Sequence, residues 1–487
     1  MSRRTQFRLL VALTIVWAAW AGWSLLGRAT PYTLRVLDDV GTPVAAASVD
    51  VDGSQVGVSS EDGLVETDWS SSSTVLEVSA PGHVALVLTI PDRPDGVVDV
   101  VLKARVLRGR VVDAKGSPVE AALVSAGSAV GPTDVEGHFH IRGAEPGPIV
   151  IERPAWLSSS FQWDGGSGET LVELTPFTAR AVHIVGEAVA NSLETYIEMA
   201  KTTELNALMI DLKEEHGVVW YNSENAIANE IGSVRNLFNL ETVTTRAHDE
   251  DLYVIGRMVA FNDPIAARAI PEMAVLDTST GGPLNARGQW FLDPTDPETR
   301  AFVLELSAEA CSMGVDEIQF DYLRFPDIGR DVAQFDGGSD PEIMTPTITS
   351  FLTEAVETLH PLGCAVGADI FGFLTTAQGD GGIGQRWEDM TQILDVASPM
   401  VYPSHYDSGW YGFEDPNANP GPMVSNALED AVERLSRNVV VRPWLQDFSY
   451  TAAQVRAQID SAERHGLGWM LWNAVSEVTT EALLPPE

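Results

Sequence analysis

From about residue 178 to the C-terminus, short runs rich in Val, Ile, Leu and Ala alternate with longer amphipathic stretches, eight times over. This alternation constrains the chain more than any other feature. A strand that is apolar on both faces needs helices above and below it and strand partners on both edges, which is the requirement of a parallel sheet built from βα units. The runs fall at residues 181–185, 207–212, 253–259, 317–322, 365–370, 396–401, 439–444 and 468–472. Helical periodicity covers 188–201, 237–251, 297–312, 343–360, 423–436 and 452–465. Pro297 stands where a first helical turn tolerates proline, and Gly314, Gly363 and Gly466 stand just past helix ends. Residues 178–487 therefore predict an α/β fold, a (β/α)8 TIM barrel with enlarged loops. A doubly wound sheet is the alternative, and it would call for a glycine-rich phosphate loop after the first strand, which this chain lacks.

Before residue 178 the texture is of short β-rich runs punctuated by Gly, Pro, Asp and Ser, as in an all-β sandwich. This segment repeats itself. Residues 41–49 (GTPVAAASV) match 116–124 (GSPVEAALV) at an offset of 75, Gly63 answers Gly137 at 74, and 78–81 (VSAP) answer 151–154 (IERP) at 73. Two homologous modules follow, at residues 31–104 and 105–177. Their motif order, a strand ending in Asp-x-x-Gly-x-Pro-Val, a second strand, an acidic glycine turn and a late strand before proline, resembles the carboxypeptidase regulatory-like β-sandwich. Such modules serve either as spacers or as carbohydrate-binding units, and the rings available for sugar stacking are Trp69, Trp156 and Trp163.

Residues 1–30 read as a signal or anchor segment. Arg3, Arg4 and Arg8 precede an uncharged run at 9–26, which is longer than the apolar core of a typical signal peptide and close to the length of a spanning helix. Ala19-Trp20-Ala21 has the small-x-small form of a cleavage site, yet Trp17, Trp20 and Trp23 crowd it and favour an uncleaved anchor. The positive N-terminus stays inside, so the body of the protein is expected outside the cytoplasm: in the cell membrane with a single pass, or secreted. Cys311 and Cys364 are too few for a disulfide framework and are either two buried thiols or a single bridge. A formal charge of −39, from 30 Lys and Arg against 69 Asp and Glu, repels phosphate backbones and anionic lipid surfaces. Nucleic acid is excluded as a partner on this ground, and membrane contact is expected through the N-terminal segment alone.

In a TIM barrel the chemistry lies where strands end. Here the ends are polar: Asp211 and Lys213 on the second strand, Arg257 on the third, Asp321, Tyr322 and Arg324 on the fourth, and Asp369 on the fifth. The sixth to eighth bring Tyr402 and His405, Trp444 and Asp447, and Trp472 and Asn473. Glycoside hydrolysis needs two carboxyl groups about the scissile bond, one protonated and one ionised, and rings to stack on sugars. Asp321 and Asp369 come from adjacent strands, whose axes lie about 5 Å apart, close to the separation of a retaining pair. Both are expected to be catalytic; the alternative for each is a helix cap or a partner for Arg324. No His-x-His or His-Glu-x-x-His spacing occurs among His216, His248 and His405, so neither a metal nor a cofactor is expected, although the sequence leaves a calcium site open. No Gly-x-Ser-x-Gly elbow marks an esterase.

The blocks DYLRFP (321–326), GADIFG (367–372) and PMVYPSHY (399–406) resemble the glycoside hydrolase-like barrels catalogued as a domain of unknown function, themselves distantly similar to the alpha-amylase superfamily. By position, that resemblance implies Asp321 as nucleophile, Asp369 as acid/base and Asp447 as transition-state stabiliser. The chain departs from the amylase pattern twice, with Gln319 in place of an arginine two residues before the nucleophile and with Asp369 in place of glutamate. A chitinase-like motif at 316–321 fails at Leu323, where its catalytic glutamate would stand. The expected function is an extracytoplasmic O-glycosyl hydrolase on an extracellular or cell-envelope glycan, with Asp211, Lys213, Arg257, Tyr322, Arg324, Tyr402, His405, Trp444, Trp472 and Asn473 binding substrate. The alternative is a catalytically silent barrel that binds glycans.

Overall fold

The computed structural model describes residues 30–69, 74–90, 96–327, 331–338 and 340–486, so the expected signal or anchor segment, residues 1–29, lies outside the described residues. No helix among the described residues is long and apolar enough to cross a membrane. The chain divides into two compact units, one of the described residues up to 152 with 158–174, the other of 153–157 with the residues from 175 onward. That division falls slightly before the expected boundary, because Trp156–Leu157 pairs with Thr175–Pro176 on the barrel side.

The N-terminal unit carries the repeat as structure. In the first module Leu64–Trp69, Thr30–Asp38 and Val97–Leu102 form one sheet, and Ser54–Val58, Ser48–Val51, Thr74–Ser79 and Leu86–Ile90 form another. The second module repeats both sheets in the same strand order, with His138–Arg142, Val106–Val112 and Glu169–Glu173 in one and Ala129–Pro132, Leu123–Ala126, Gly147–Glu152 and Ser159–Trp163 in the other. Leu34, Val36, Val49, Leu76, Val78 and Val100 from both sheets of the first module share one apolar core, which makes it a sandwich. The repeated residues have matching duties. The amides of Val36 and Val111 donate to the carbonyls of Gly63 and Gly137, and a Cβ on either glycine would stand 2.4 Å from the carbonyl oxygen of Val36 or Val111. A side chain cannot enter there, which is why both turns keep glycine.

The second unit is a closed barrel of eight parallel strands. They are β1 (Arg180–Ile184), β2 (Ala207–Lys213), β3 (Tyr253–Val259), β4 (Glu317–Asp321), β5 (Ala365–Phe371), β6 (Val396–Val401), β7 (Trp444–Gln446) and β8 (Trp469–Trp472). Neighbours in sequence are neighbours in the sheet, and β1 closes the ring by pairing with both β2 and β8. Six longer helices wrap it: α1 (Gly186–Thr202), α2 (Leu240–His248), α3 (Pro297–Ser312), α4 (Met344–Leu359), α5 (Pro420–Glu433) and α6 (Ala452–Arg464). Pro297 opens α3, with the Asp296 carboxylate accepting the Thr299 amide at 2.8 Å as its cap. The seventh strand is not the continuous run that 439–444 predicts. It is broken after Val440–Val441, because Pro443 has no N–H for the ladder, and resumes at Trp444. Val219–Tyr221 and Val234–Phe238, which the sequence pattern does not announce, extend the sheet beyond β2.

Cys311, in the last turn of α3, is joined by a disulfide to Cys364, the residue before β5. The bridge spans 53 residues, and closing a loop of that length in the unfolded chain corresponds to roughly 4 kcal/mol of chain entropy. The Cys311→Ala/Cys364→Ala variant should lose about 2–4 kcal/mol of barrel stability, read as a lowered urea midpoint against the oxidised parent. An unchanged midpoint would show that the bridge contributes nothing.

Candidate active site

The strands deliver their C-terminal ends to one mouth, where a cavity of about 500 Å³ opens. Asp321 ends β4. Its Oδ2 accepts from Arg257 Nε at 3.0 Å and Nη2 at 2.5 Å, and its Oδ1 accepts the Tyr322 amide at 2.6 Å. Tyr322 adopts φ of +49°, a left-handed conformation that turns its N–H back onto the preceding carboxylate. A non-glycine residue held there costs of order 1–3 kcal/mol, and such strain gathers at functional sites. The Asp321 carboxylate thus receives three hydrogen bonds, two of them from a guanidinium.

Asp369, on β5 and 2% exposed, is held differently. Its Oδ1 accepts from Gln319 Nε2 at 2.8 Å and from Trp444 Nε1 at 2.5 Å. Burial pushes this carboxyl well above the usual range, and the charge of Asp321 pushes it further, while Trp444, Arg257 and Gln319 pull the other way. Asp369 is therefore biased toward its protonated form. Amide and indole N–H groups only donate, so both occupy Oδ1 as an acceptor and leave the carboxyl proton to Oδ2.

Arg257 comes from β3, whose residue 257 stands opposite Asp211 of β2 on one side and Gln319 of β4 on the other. Its Nη1 donates to Asp211 Oδ1 at 2.9 Å and its Nη2 to Glu215 Oε2 at 3.2 Å. His183 of β1 places Nε2 3.0 Å from Asp211 Oδ1 and Nδ1 3.0 Å from the Asn473 carbonyl. Burial alone would raise Asp211, but the charges of His183 and Arg257 outweigh it and hold the carboxyl down to about 2. Trp472 of β8 stacks on the His183 ring at 4.2 Å and meets Arg257 at 4.9 Å.

Asp321, Asp369, Arg257, Tyr322, Arg324, Tyr402, His405, Trp444 and Trp472 line the cavity, as the sequence leads one to expect. Arg324 lies within 5.5 Å of the Phe291, Tyr322 and Phe371 rings and donates to Gln289 Oε1 at 3.3 Å. Burial lowers the His405 imidazole and raises the Tyr322 phenol to about 12. Four expected residues stand elsewhere. Asp211 is behind Arg257, one hydrogen bond from Asp321's clamp. Lys213 is fully buried, paired with Asp263 at 3.0 Å and donating to the Val259 carbonyl at 2.8 Å, because the β2–β3 register shifts between Asp211 and Lys213. Asp447 accepts the Thr479 amide at 3.0 Å, and Asn473 donates to the Asp447 carbonyl at 2.7 Å, so both organise the loop after β8. The cavity also includes Glu215, Gln289, Phe371, Gly372, Phe373, Gln385, Met400 and Tyr406, which are not among the expected site residues. Phe371, Gly372, Met400 and Tyr406 lie within the motif blocks at 367–372 and 399–406, and that was the one signal for them. Among the described residues, the group of side chains that could gather around a metal ion is the exposed turn of Asp134, Glu136 and His138 in the N-terminal unit.

A family model described as "Putative glycosyl hydrolase domain" matches residues 181–477. Among solved structures, a hypothetical protein from Ruminiclostridium thermocellum ATCC 27405 is 34% identical, covering 39% of this chain and 96% of its own, with a TM-score of 0.36. The glycoside hydrolase domain of PgaB (BpsB) from Bordetella bronchiseptica is 11% identical over 61% of this chain and 94% of its own, with a TM-score of 0.48. That of PelA from Pseudomonas aeruginosa is 10% identical over 61% and 96%, with a TM-score of 0.38. No curated protein matches.

The two donors on Asp369 Oδ1 stabilise its ionised form, which gives a signed expectation for pH dependence. If Asp369 must be protonated to act, activity falls as pH rises through its pKa. Trp444→Phe removes a donor to the anion, raises that pKa further, and should move the basic limb of the kcat/KM profile to higher pH. The position of the limb is the readout, whatever happens to its height; a limb that stays or moves to lower pH would contradict the assignment.

Proposed function

The chain belongs to the family of glycosyl hydrolase domains whose model spans its barrel, and from that premise we propose that it is an extracytoplasmic glycoside hydrolase with Asp321 as nucleophile and Asp369 as general acid/base. The observation that carries this reading is the inequality of two neighbouring carboxyl groups, one clamped by a guanidinium and one buried with its proton left to Oδ2. In the first step Asp369 Oδ2 gives its proton to the glycosidic oxygen as the C–O bond breaks, and an Asp321 oxygen bonds the anomeric carbon. In the second, Asp369 takes a proton from water, whose oxygen displaces Asp321 and frees the sugar. Placement on adjacent strands favours this retaining course over an inverting one, which spaces its carboxyls more widely. Trp472, Tyr402 and His405 supply ring faces for the sugar.

Location enters the same proposal. A bridged Cys311 and Cys364 suits an oxidising compartment, in keeping with an N-terminal segment that anchors or exports the chain. The β-sandwich modules then act as spacers, and the substrate is an extracellular or envelope glycan. The second reading, a silent glycan-binding barrel, draws on the same rings but leaves the unequal aspartates without a task.

A screen of polysaccharides for new reducing ends, run beside a binding array, separates the two. With a substrate in hand, Asp321→Asn should abolish turnover of every substrate while the fold survives. Asp369→Asn should cost ~10²–10⁴-fold on substrates with poor leaving groups and far less on activated aryl glycosides, whose departure needs little protonation. Near-normal turnover by Asp321→Asn on all substrates would defeat the assignment of the nucleophile.

A further inference from the structure

Glu215 lines the cavity and has no part in the chemistry above. Its side chain is 35% exposed, whereas those of Asp321 and Asp211 are 12% and 4% exposed and Asp369 is buried. Where β2 ends at Lys213 the chain turns through 214–217: the Glu214 amide donates to the Val218 carbonyl at 3.1 Å and the Gly217 amide to the Glu214 carbonyl at 2.9 Å. The turn is fastened to the loop after β3 as well. Asn262 Nδ2 donates to the Glu215 carbonyl at 3.1 Å, and Gly217, at φ of +82°, packs so close to Asp263 that a Cβ would stand 2.2 Å from its Oδ1. Buried Lys213 ties β2 to that same Asp263. Glu215 is therefore presented by a pinned turn, and its head is aimed inward: Oε2 accepts from Nη2 of Arg257, itself a lining residue, at 3.2 Å. Among the described residues that is the one hydrogen bond to this carboxylate, so Oε1 keeps its lone pairs for a ligand.

The same Arg257 Nη2 donates to Asp321 Oδ2 at 2.5 Å, so oxygens of Glu215 and Asp321 flank a single nitrogen. The open carboxylate thus stands beside the nucleophile. In the sheet, β2 and β5 lie on opposite sides of β3 and β4, which sets Glu215 away from the acid Asp369 and from the oxygen that departs. An ionised carboxylate only accepts, so its ligand must donate, as a sugar hydroxyl does. We propose that Glu215 is a substrate-binding residue for the sugar that Asp321 attacks, Oε1 accepting a hydrogen bond from one of its ring hydroxyls while Arg257 holds Oε2. This rests on the hydrolase reading and deepens it.

The test is Glu215→Ala in the full chain. The bonds that pin the turn run to backbone atoms that alanine keeps, so the variant should melt with the parent; a fall of several degrees would make the carboxylate a structural group and overturn the proposal. In kinetics, kcat/KM should fall about tenfold or more, and equally on the oligosaccharide found in the screen and on the 4-nitrophenyl glycoside of the same donor sugar, because both present that sugar to Asp321. A loss confined to the oligosaccharide would put the contact on the departing sugar and overturn the assignment. Monodeoxy 4-nitrophenyl glycosides then identify the bond: removing one hydroxyl should cost the parent about tenfold and the variant nothing further. If every deoxy position costs parent and variant the same, Glu215 acts through Arg257 and not on the sugar, and the assignment falls while the hydrolase reading stands. Failure of the parent itself to cleave any substrate would overturn the hydrolase reading, and the assignment with it.

Discussion

A guanidinium that is 2% exposed at the barrel mouth sets the terms for everything around it. Arg257 cannot be buried without counter-charge, since removing one partner of a buried pair leaves an uncompensated ion. The chain supplies Asp211 and Asp321 at hydrogen-bond distance, with Glu215 at the solvent side. Asp321 sits in that clamp on the strand next to Asp369, whose carboxyl its charge helps to push up. The rise at Asp369 comes first from burial and then from the charge of Asp321, against which the arginine two strands away pulls. His183 and Trp472 belong to the same account, for they hold Asp211 and the flat face of the guanidinium in place.

The missing arginine of the amylase-like pattern has a counterpart on the neighbouring strand. The arginine expected two residues before the nucleophile is absent from β4, and β3 brings a guanidinium to the same aspartate instead. Gln319, released from that duty, donates to Asp369 and so helps to aim its proton. Deeper in the barrel, Glu317 and Arg442 form a second buried pair, with both carboxylate oxygens taken by Nη1 at 2.8 and 2.9 Å. Gly367 leaves room for this layer, because a Cβ there would lie 2.2 Å from Gln319 Oε1.

Period and punctuation made the barrel legible. A strand buried on both faces reads as a solid apolar run, and a helix reads by its stripe, so all eight strands and the six long helices stood out before any coordinates. Strand-end position made most of the cavity legible as well, since it fixes where a Cα emerges. It does not fix where a side chain goes. Lys213 shows the difference: a register shift after Asp211 carries it to Asp263 and away from the cavity. Asp447 and Asn473 stand outside the cavity lining for another reason, since carboxylates and amides at strand ends serve loop amides as readily as ligands. Glu215, Gln289 and Phe373 were invisible because they lie in a turn, a two-residue strand and a single 3-10 turn, each too short for periodicity to be read.

The modules ahead of the barrel argue for a division of labour. What their two copies share is internal: the glycines that admit a carbonyl, and a hydroxyl, Ser59 in one and Thr133 in the other, that accepts an amide and donates to a carbonyl across the same turn. Two of the rings considered for sugar stacking, Trp156 and Trp163, are not on the surface. Trp163 is 7% exposed and its indole donates to the Gly166 carbonyl at 3.1 Å, while Trp156, which belongs with the barrel unit, is 8% exposed. A binding module keeps its ligand-facing residues, whereas a spacer need keep only what folds it. The repetition here is of what folds each copy, while the unequal carboxyl groups and the rings around them meet in the barrel cavity.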